Sequence, residues 1–167
     1  MKRIIIGILI VLAVASLITA ILLKTNKKEK LAQLSLFDDS IKLSYLSGSP
    51  ASFDADTSKG TILVIFNSTC DDCQKQIGEI SRYEKGSANY RVIFVSDEDI
   101  EVLRKFKAGM NAAEGKGMEI RYDIGNSLTR MFGIHHFPTS LIFDRNGKLL
   151  RRVDGLHAAE FLFSSPL

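Results

Sequence analysis

Residues 61–73 read TILVIFNSTCDDC, and this stretch decides the fold. Residues 61–66 form a continuous apolar run rich in β-branched side chains, the pattern of a strand buried on both faces. Asn67, Ser68 and Thr69 interrupt the run. The period then changes: Cys73, Ile77, Ile80 and Tyr83 or Glu84 recur at helical spacing through about residue 84.

Outward from this unit, residues 91–95 (RVIFV) predict a second buried strand. Ser96 and Asp97 are candidate caps for a helix with Ile100, Leu103, Phe106 and Met110 along one face, broken by Gly115 and Gly117. Residues 118–122 read as a short strand. Asn126 reads as the cap of a helix carrying Leu128, Met131 and Phe132. Residues 140–144 and 148–153 flank Arg145-Asn146-Gly147, a strong hairpin signal, and residues 157–163 suit a terminal helix. On the other side, residues 40–45 alternate as a half-buried strand does, and residues 47–60 read as a loop. Strand–helix–strand–helix followed by a hairpin and a helix predicts an α/β fold with a parallel core and an antiparallel edge.

The 167 residues suffice for one compact domain plus an appendage, and 25% charged with 46% hydrophobic residues excludes a disordered or collagen-like chain. The net charge of +3 is unevenly spread. Residues 1–30 hold six Lys/Arg and a single acid, leaving 16 basic and 18 acidic residues from 31 onward. A slightly acidic body carries no electrostatic footprint for nucleic acid. The appendage contains residues 4–23, twenty in a row without a charge, and as a helix these would match the hydrocarbon thickness of a bilayer at about 30 Å. A secretory signal competes with this reading, since Lys2 and Arg3 precede the run and Ala13-Val14-Ala15 has the form of a cleavage site; the length of the run favours an uncleaved anchor. The expected organisation is a membrane anchor and basic tether over 1–30 and a domain over 31–167. Orientation is contested: Lys24, Lys27, Lys28 and Lys30 favour a cytoplasmic body, whereas the short N-terminal tail favours an extracytoplasmic one, which is the expectation adopted.

Cys70 and Cys73 are the chain's two cysteines, so a multi-disulfide scaffold is excluded. CxxC at a strand-to-helix turn in a βαβ context points to a redox-active dithiol. The first cysteine would lie among the unpaired N–H groups of a helix start, where a thiolate is stabilised; the second, one turn on, would share the inward face of Ile77 and Ile80. An exposed thiolate beside a shielded thiol can attack a disulfide and be released by its neighbour. A zinc site would need more ligands than His135, His136 and His157 suitably supply, so no metal is expected. An i,i+3 disulfide closes too short a loop to serve mainly as a staple.

ILVIFNSTCDDC, followed about 65 residues later by FGIHHFPTSLIFDRNGKLLRRVDG, resembles the thioredoxin superfamily, and the anchor with its extra early strand is similar to the membrane-anchored TlpA-like thiol-disulfide oxidoreductases. The resemblance spans roughly residues 35–163 and implies a central mixed sheet flanked by helices. It also implies a cis Phe137–Pro138 bond facing the dithiol, and substrate contact through Phe137 and Pro138. Four features depart from the pattern. Thr69 stands where a tryptophan is usual, Asp71 and Asp72 lack the usual proline, and Val64 and Gln76 occupy places often held by acids that assist proton transfer. These departures bear on the speed and direction of exchange, not on the dithiol. His135 and His136 read as solvated loop residues.

The resulting expectation is a membrane-anchored enzyme that reduces or exchanges disulfides of exported proteins, with Cys70 attacking and Cys73 resolving. No cofactor beyond the Cys70–Cys73 pair is expected. The expected partners are disulfide-containing proteins, the membrane and an electron-donor protein. Asp71 and Asp72 are expected to repel a thiolate on Cys70 and so bias the pair towards reduction. The alternative is a non-catalytic tethered module that binds peptides at the proline. A peroxidase of the peroxiredoxin type is disfavoured, because Leu63 and Asn67 replace the Pro and Thr it requires ahead of the cysteine.

Overall fold

The computed structural model describes residues 34–53, 58–83, 88–110 and 118–165, together with residues 12, 14–19 and 21–23. The chain divides into two units, 1–33 and 34–167. The second holds a seven-stranded mixed sheet in the order β2-β1-β5-β4-β3-β6-β7. These strands are β1 (Leu43–Tyr45), β2 (Pro50–Ala51), β3 (Gly60–Ile65), β4 (Tyr90–Ser96), β5 (Glu119–Asp123), β6 (Thr139–Phe143) and β7 (Leu149–Asp154). Among the described residues of this unit, four α-helices accompany them: α1 (Asp71–Arg82), α2 (Ile100–Gly109), α3 (Ser127–Met131) and α4 (Ala159–Phe163).

The uninterrupted apolar run makes β3 central. It pairs in parallel with β4, Leu63 opposite Ile93, and antiparallel with β6, Ile62 opposite Ile142. Because strand side chains alternate between faces, Ile62, Val64 and Phe66 enter one core with Ile77, Ile80, Leu103 and Leu162, which come from α1, α2 and α4. Leu63 and Ile65 point the other way, where Phe132 meets Phe143 edge-on at 5.8 Å between ring centres. β5 continues the parallel core beside β4, and β1, β2 and the β6–β7 hairpin form its antiparallel flanks. This is the α/β arrangement expected from the sequence, with the early strand placed against β5.

Three local expectations are corrected. The cap of α2 is Asp99, whose carboxylate accepts from Glu101 N at 2.8 Å, so neither Ser96 nor Asp97 has that role. Asn126 adopts the left-handed conformation and makes no side-chain cap. The buried Asp123 caps α3 instead, accepting from Leu128 N at 3.0 Å and Thr129 N at 2.9 Å. A carboxylate in the preceding strand thus reaches over the connecting turn to the helix start, where negative charge is favoured. Residues 50–51, read as loop, form a short edge strand, a position that tolerates Pro50.

Much of the proposed membrane span, and Gly115 and Gly117, lie outside the described residues. The described residues of 12–23 are helical, and Thr19 Oγ1 donates back to Ala15 O at 2.8 Å. Among the described residues no helix is long and apolar enough to cross a membrane.

Candidate active site

The site is built where β3 ends and α1 begins. Asn67 folds the intervening turn: its Oδ1 accepts from Thr69 N at 2.9 Å and Thr69 Oγ1 at 2.7 Å, and its carbonyl accepts from Cys70 N at 3.2 Å. Cys70 is the N-cap of α1, and its sulfur accepts from Cys73 N at 3.2 Å. The sulfur therefore occupies the place where a serine or aspartate oxygen satisfies an orphan helix N–H. Both cysteines are free thiols; Cys70 is half-buried and Cys73 has no exposed surface.

Burial pushes the Cys73 thiol up to about 12. The Asn67 backbone N–H partly offsets this, and the neighbouring Cys70 and the Asp72 charge add to the upward push. Asp71 and Asp72 are both exposed on the first turn of α1. Asp72 pairs with Lys75 at 3.3 Å in a solvent-facing contact that contributes little to stability.

The loop from α3 to β6 closes the site from the opposite side. Phe137–Pro138 is a cis bond, and Cys70 Sγ lies 3.8 Å from Phe137 O, within reach of a sulfur hydrogen bond. The ring of Phe137 packs against the main core. Cys70, Cys73, Phe137 and Pro138 therefore converge from two segments 67 residues apart in sequence. Asp71 and Asp72 lie on the adjoining helix turn, and His135 and His136 are exposed.

Residues 52–163, which include both cysteines and the proline loop, match a known family described as "Thioredoxin-like domain". The chain belongs to the thioredoxin-like family. No curated protein matches it. Several solved structures share the fold. StoA from Bacillus subtilis is 20% identical with a TM-score of 0.58, over 73% of this chain and 92% of that one. A candidate thiol:disulfide interchange protein DsbE from Chlorobium tepidum is 24% identical with a TM-score of 0.60, over 71% and 83%. A secreted Mycobacterium tuberculosis disulfide oxidoreductase is 14% identical with a TM-score of 0.57, over 78% and 89%.

Within this thioredoxin-like domain the structure adds supporting residues that the sequence did not single out for these roles. Gln76 is fully buried and holds residue 157 by both main-chain groups: its Nε2 donates to His157 O at 2.9 Å and its Oε1 accepts from His157 N at 2.8 Å. Gln76 thus fastens the approach to α4 onto the cysteine helix, a task that needs a donor and an acceptor on one side chain. Glu98 steadies the cysteine turn, accepting from Ser68 N at 2.6 Å and Ser68 Oγ at 2.7 Å. Gln74 Nε2 donates to Ser68 O at 2.8 Å, so both main-chain groups of Ser68 are engaged. A polar residue three positions after an inward-facing cysteine is a readable hint for Gln76. Nothing local in the sequence points to this role of Glu98, because the Ser68 it holds belongs to another strand–helix connection.

Proposed function

We propose that this protein is a thiol-disulfide oxidoreductase that reduces or exchanges disulfides of exported proteins. The observation that carries the reading is the half-buried Cys70 sulfur, set at a helix start and 3.8 Å from Phe137 O, with the fully buried Cys73 one turn behind it. A Cys70 thiolate attacks a substrate disulfide, forming a mixed disulfide and releasing one substrate thiolate. Cys73 then attacks Cys70 Sγ; the Cys70–Cys73 disulfide forms, the second substrate sulfur leaves, and the Cys73 proton goes with it. Two electrons pass to the substrate, and an electron-donor protein bearing a dithiol restores the pair by the reverse exchange. Substrate main chain would lie beside Phe137 and Pro138. The names of the Chlorobium and Mycobacterium neighbours agree with this chemistry. The test is turnover of a protein disulfide by the purified chain with dithiothreitol as electron source. Catalysed reduction is expected; uncatalysed background alone would leave a non-catalytic binding module.

The same proposal gives Asp71 and Asp72 a tuning role. Their charges disfavour a thiolate beside them, which stabilises the disulfide relative to the dithiol and makes the pair more reducing. Asp71→Asn combined with Asp72→Asn is expected to raise the reduction potential by on the order of 30 mV. The potential is read against glutathione at fixed pH, and an unchanged value would leave the acids only their helix-starting role.

The proposal also places residues 4–23 as a single-pass anchor in the cytoplasmic membrane with the domain outside the cytoplasm. The apolar run and short N-terminal tail support it, and the lysines at 24, 27, 28 and 30 speak against it. Protease added to outer-membrane-permeabilised or intact cells is expected to digest the domain. Protection until the inner membrane is broken would reverse the orientation.

A further inference from the structure

The loop that carries Phe137 and Pro138 past Cys70 is tied at both ends to two side chains of β7. Arg152 and Asp154 stand two residues apart on that strand and so share a face. Arg152 Nε donates to Asp154 Oδ1 at 2.9 Å and Oδ2 at 3.1 Å. From this pair the contacts run in opposite directions. Arg152 reaches the start of the loop, where its second guanidinium nitrogen donates to Phe132 O at 2.7 Å and Gly133 O at 3.3 Å. These are carbonyls at the end of α3, and Gly133 turns the chain there with a φ of 58°.

Asp154 reaches the end of the loop. It is the register partner of Thr139 in the antiparallel β6–β7 pair, which is why their side chains meet. The fully buried Thr139 hydroxyl lies 2.8 Å from Asp154 Oδ1 and 2.7 Å from His136 O, and its single proton is shared between these two acceptors, which links the carboxylate to the turn that includes Phe137 and Pro138. Gly155 N, just past the end of β7, donates to Pro138 O at 2.7 Å.

Charge-assisted bonds of this kind are stronger than neutral ones; Arg152 is mostly buried, whereas the Asp154 side chain is 45% exposed, so solvent screens the pair in part. Burial alone would raise the Asp154 carboxyl, but the Thr139 hydroxyl, Arg152 and His136 outweigh it and hold the group below its ordinary value of 3.8. The carboxylate is therefore charged under ordinary conditions.

We propose that Arg152, Asp154 and Thr139 form a clamp that sets the position of the substrate-facing loop, and that they are positioning residues for substrate capture. The clamp rests on the thiol-disulfide reading above. A peptide approaching Cys70 must fit beside Phe137 and Pro138, and a loop held ready spares the ordering cost that binding would otherwise incur. Loosening the clamp should weaken capture while leaving the redox pair itself alone.

Thr139→Val, nearly isosteric and β-branched like the original, removes the hydroxyl while preserving strand packing; Thr139→Ser keeps the hydroxyl. For a disulfide-bonded peptide, Thr139→Val is expected to raise KM about tenfold, equivalent to about 1.4 kcal/mol, while the Cys70–Cys73 reduction potential stays at the wild-type value. Thr139→Ser should restore KM, and Arg152→Met should reproduce the Thr139→Val effect from the other end of the loop. An unchanged KM in Thr139→Val, a KM in Thr139→Ser as high as in the valine variant, or a shifted potential would overturn the clamp. Amide hydrogen exchange at Gly155 provides a readout that does not depend on activity. Faster exchange in Thr139→Val than in Thr139→Ser supports the clamp even if the wild type turns over no disulfide, a result that would sink the functional reading instead. Equal exchange in the two variants overturns the clamp whatever the activity.

Discussion

Replacing Cys73 with serine is expected to trap substrate proteins on Cys70 as mixed disulfides, while replacing Cys70 with serine should abolish both trapping and turnover. The asymmetry follows from exposure, since the Cys70 sulfur is partly open at the N-cap of α1 and Cys73 is fully buried. Non-reducing gels of cells expressing each variant provide the measurement, and adducts formed by the Cys70→Ser chain would reverse the assignment. The wild-type protein adds a pH test. Burial holds the Cys73 thiol up at about 12, so its thiolate fraction, and with it the resolving step, should grow about tenfold per pH unit through the neutral range. A resolving rate that does not change with pH would mean that another group removes the proton. The sign for stability is the opposite. The native value lies above the ordinary 9.0, so the native state keeps this contribution below pH 9 and loses it as pH rises from there towards 12.

Gln76→Ala is expected to cost about 2–4 kcal/mol in chemical denaturation, since it leaves both the N–H and the carbonyl of His157 without their buried partner. Gln76→Glu should also destabilise. Its carboxylate still accepts from His157 N, but it offers no donor to His157 O and buries a charge on the face that carries Cys73 and Ile77. A loss below about 1 kcal/mol for the alanine variant would show that solvent takes over both contacts. The pair of variants separates the structural role of this position from any proton-transfer role, because only the glutamate offers a titrating group.

The parts of the domain legible from the sequence are those in which a local pattern and the tertiary environment agree. β3 and β4 are apolar enough to declare burial on both faces, the Asn146-Gly147 turn announces its hairpin, and Gly147 does adopt a positive φ of 73°. Misplaced caps have a common cause. Several polar residues near each helix start were chemically suitable, and backbone direction chose among them: Asp99 rather than Ser96 for α2, and Asp123, from the preceding strand, rather than Asn126 for α3.

The sequence by itself determined the dithiol, the strand-to-helix turn that carries it and the α/β class, because each rests on spacing within a few residues and on side-chain periodicity. Tertiary structure decided what faces the dithiol and what holds it. Phe137 comes to Cys70 from the start of the neighbouring strand β6, Gln76 grips residue 157, Glu98 grips Ser68, and Asp154 meets Thr139 by strand register. These contacts join residues 15 to 81 positions apart. Each depends on a polar side chain finding complementary groups only after the hydrophobic core has fixed the strands, and hydrophobic periodicity does not encode that geometry.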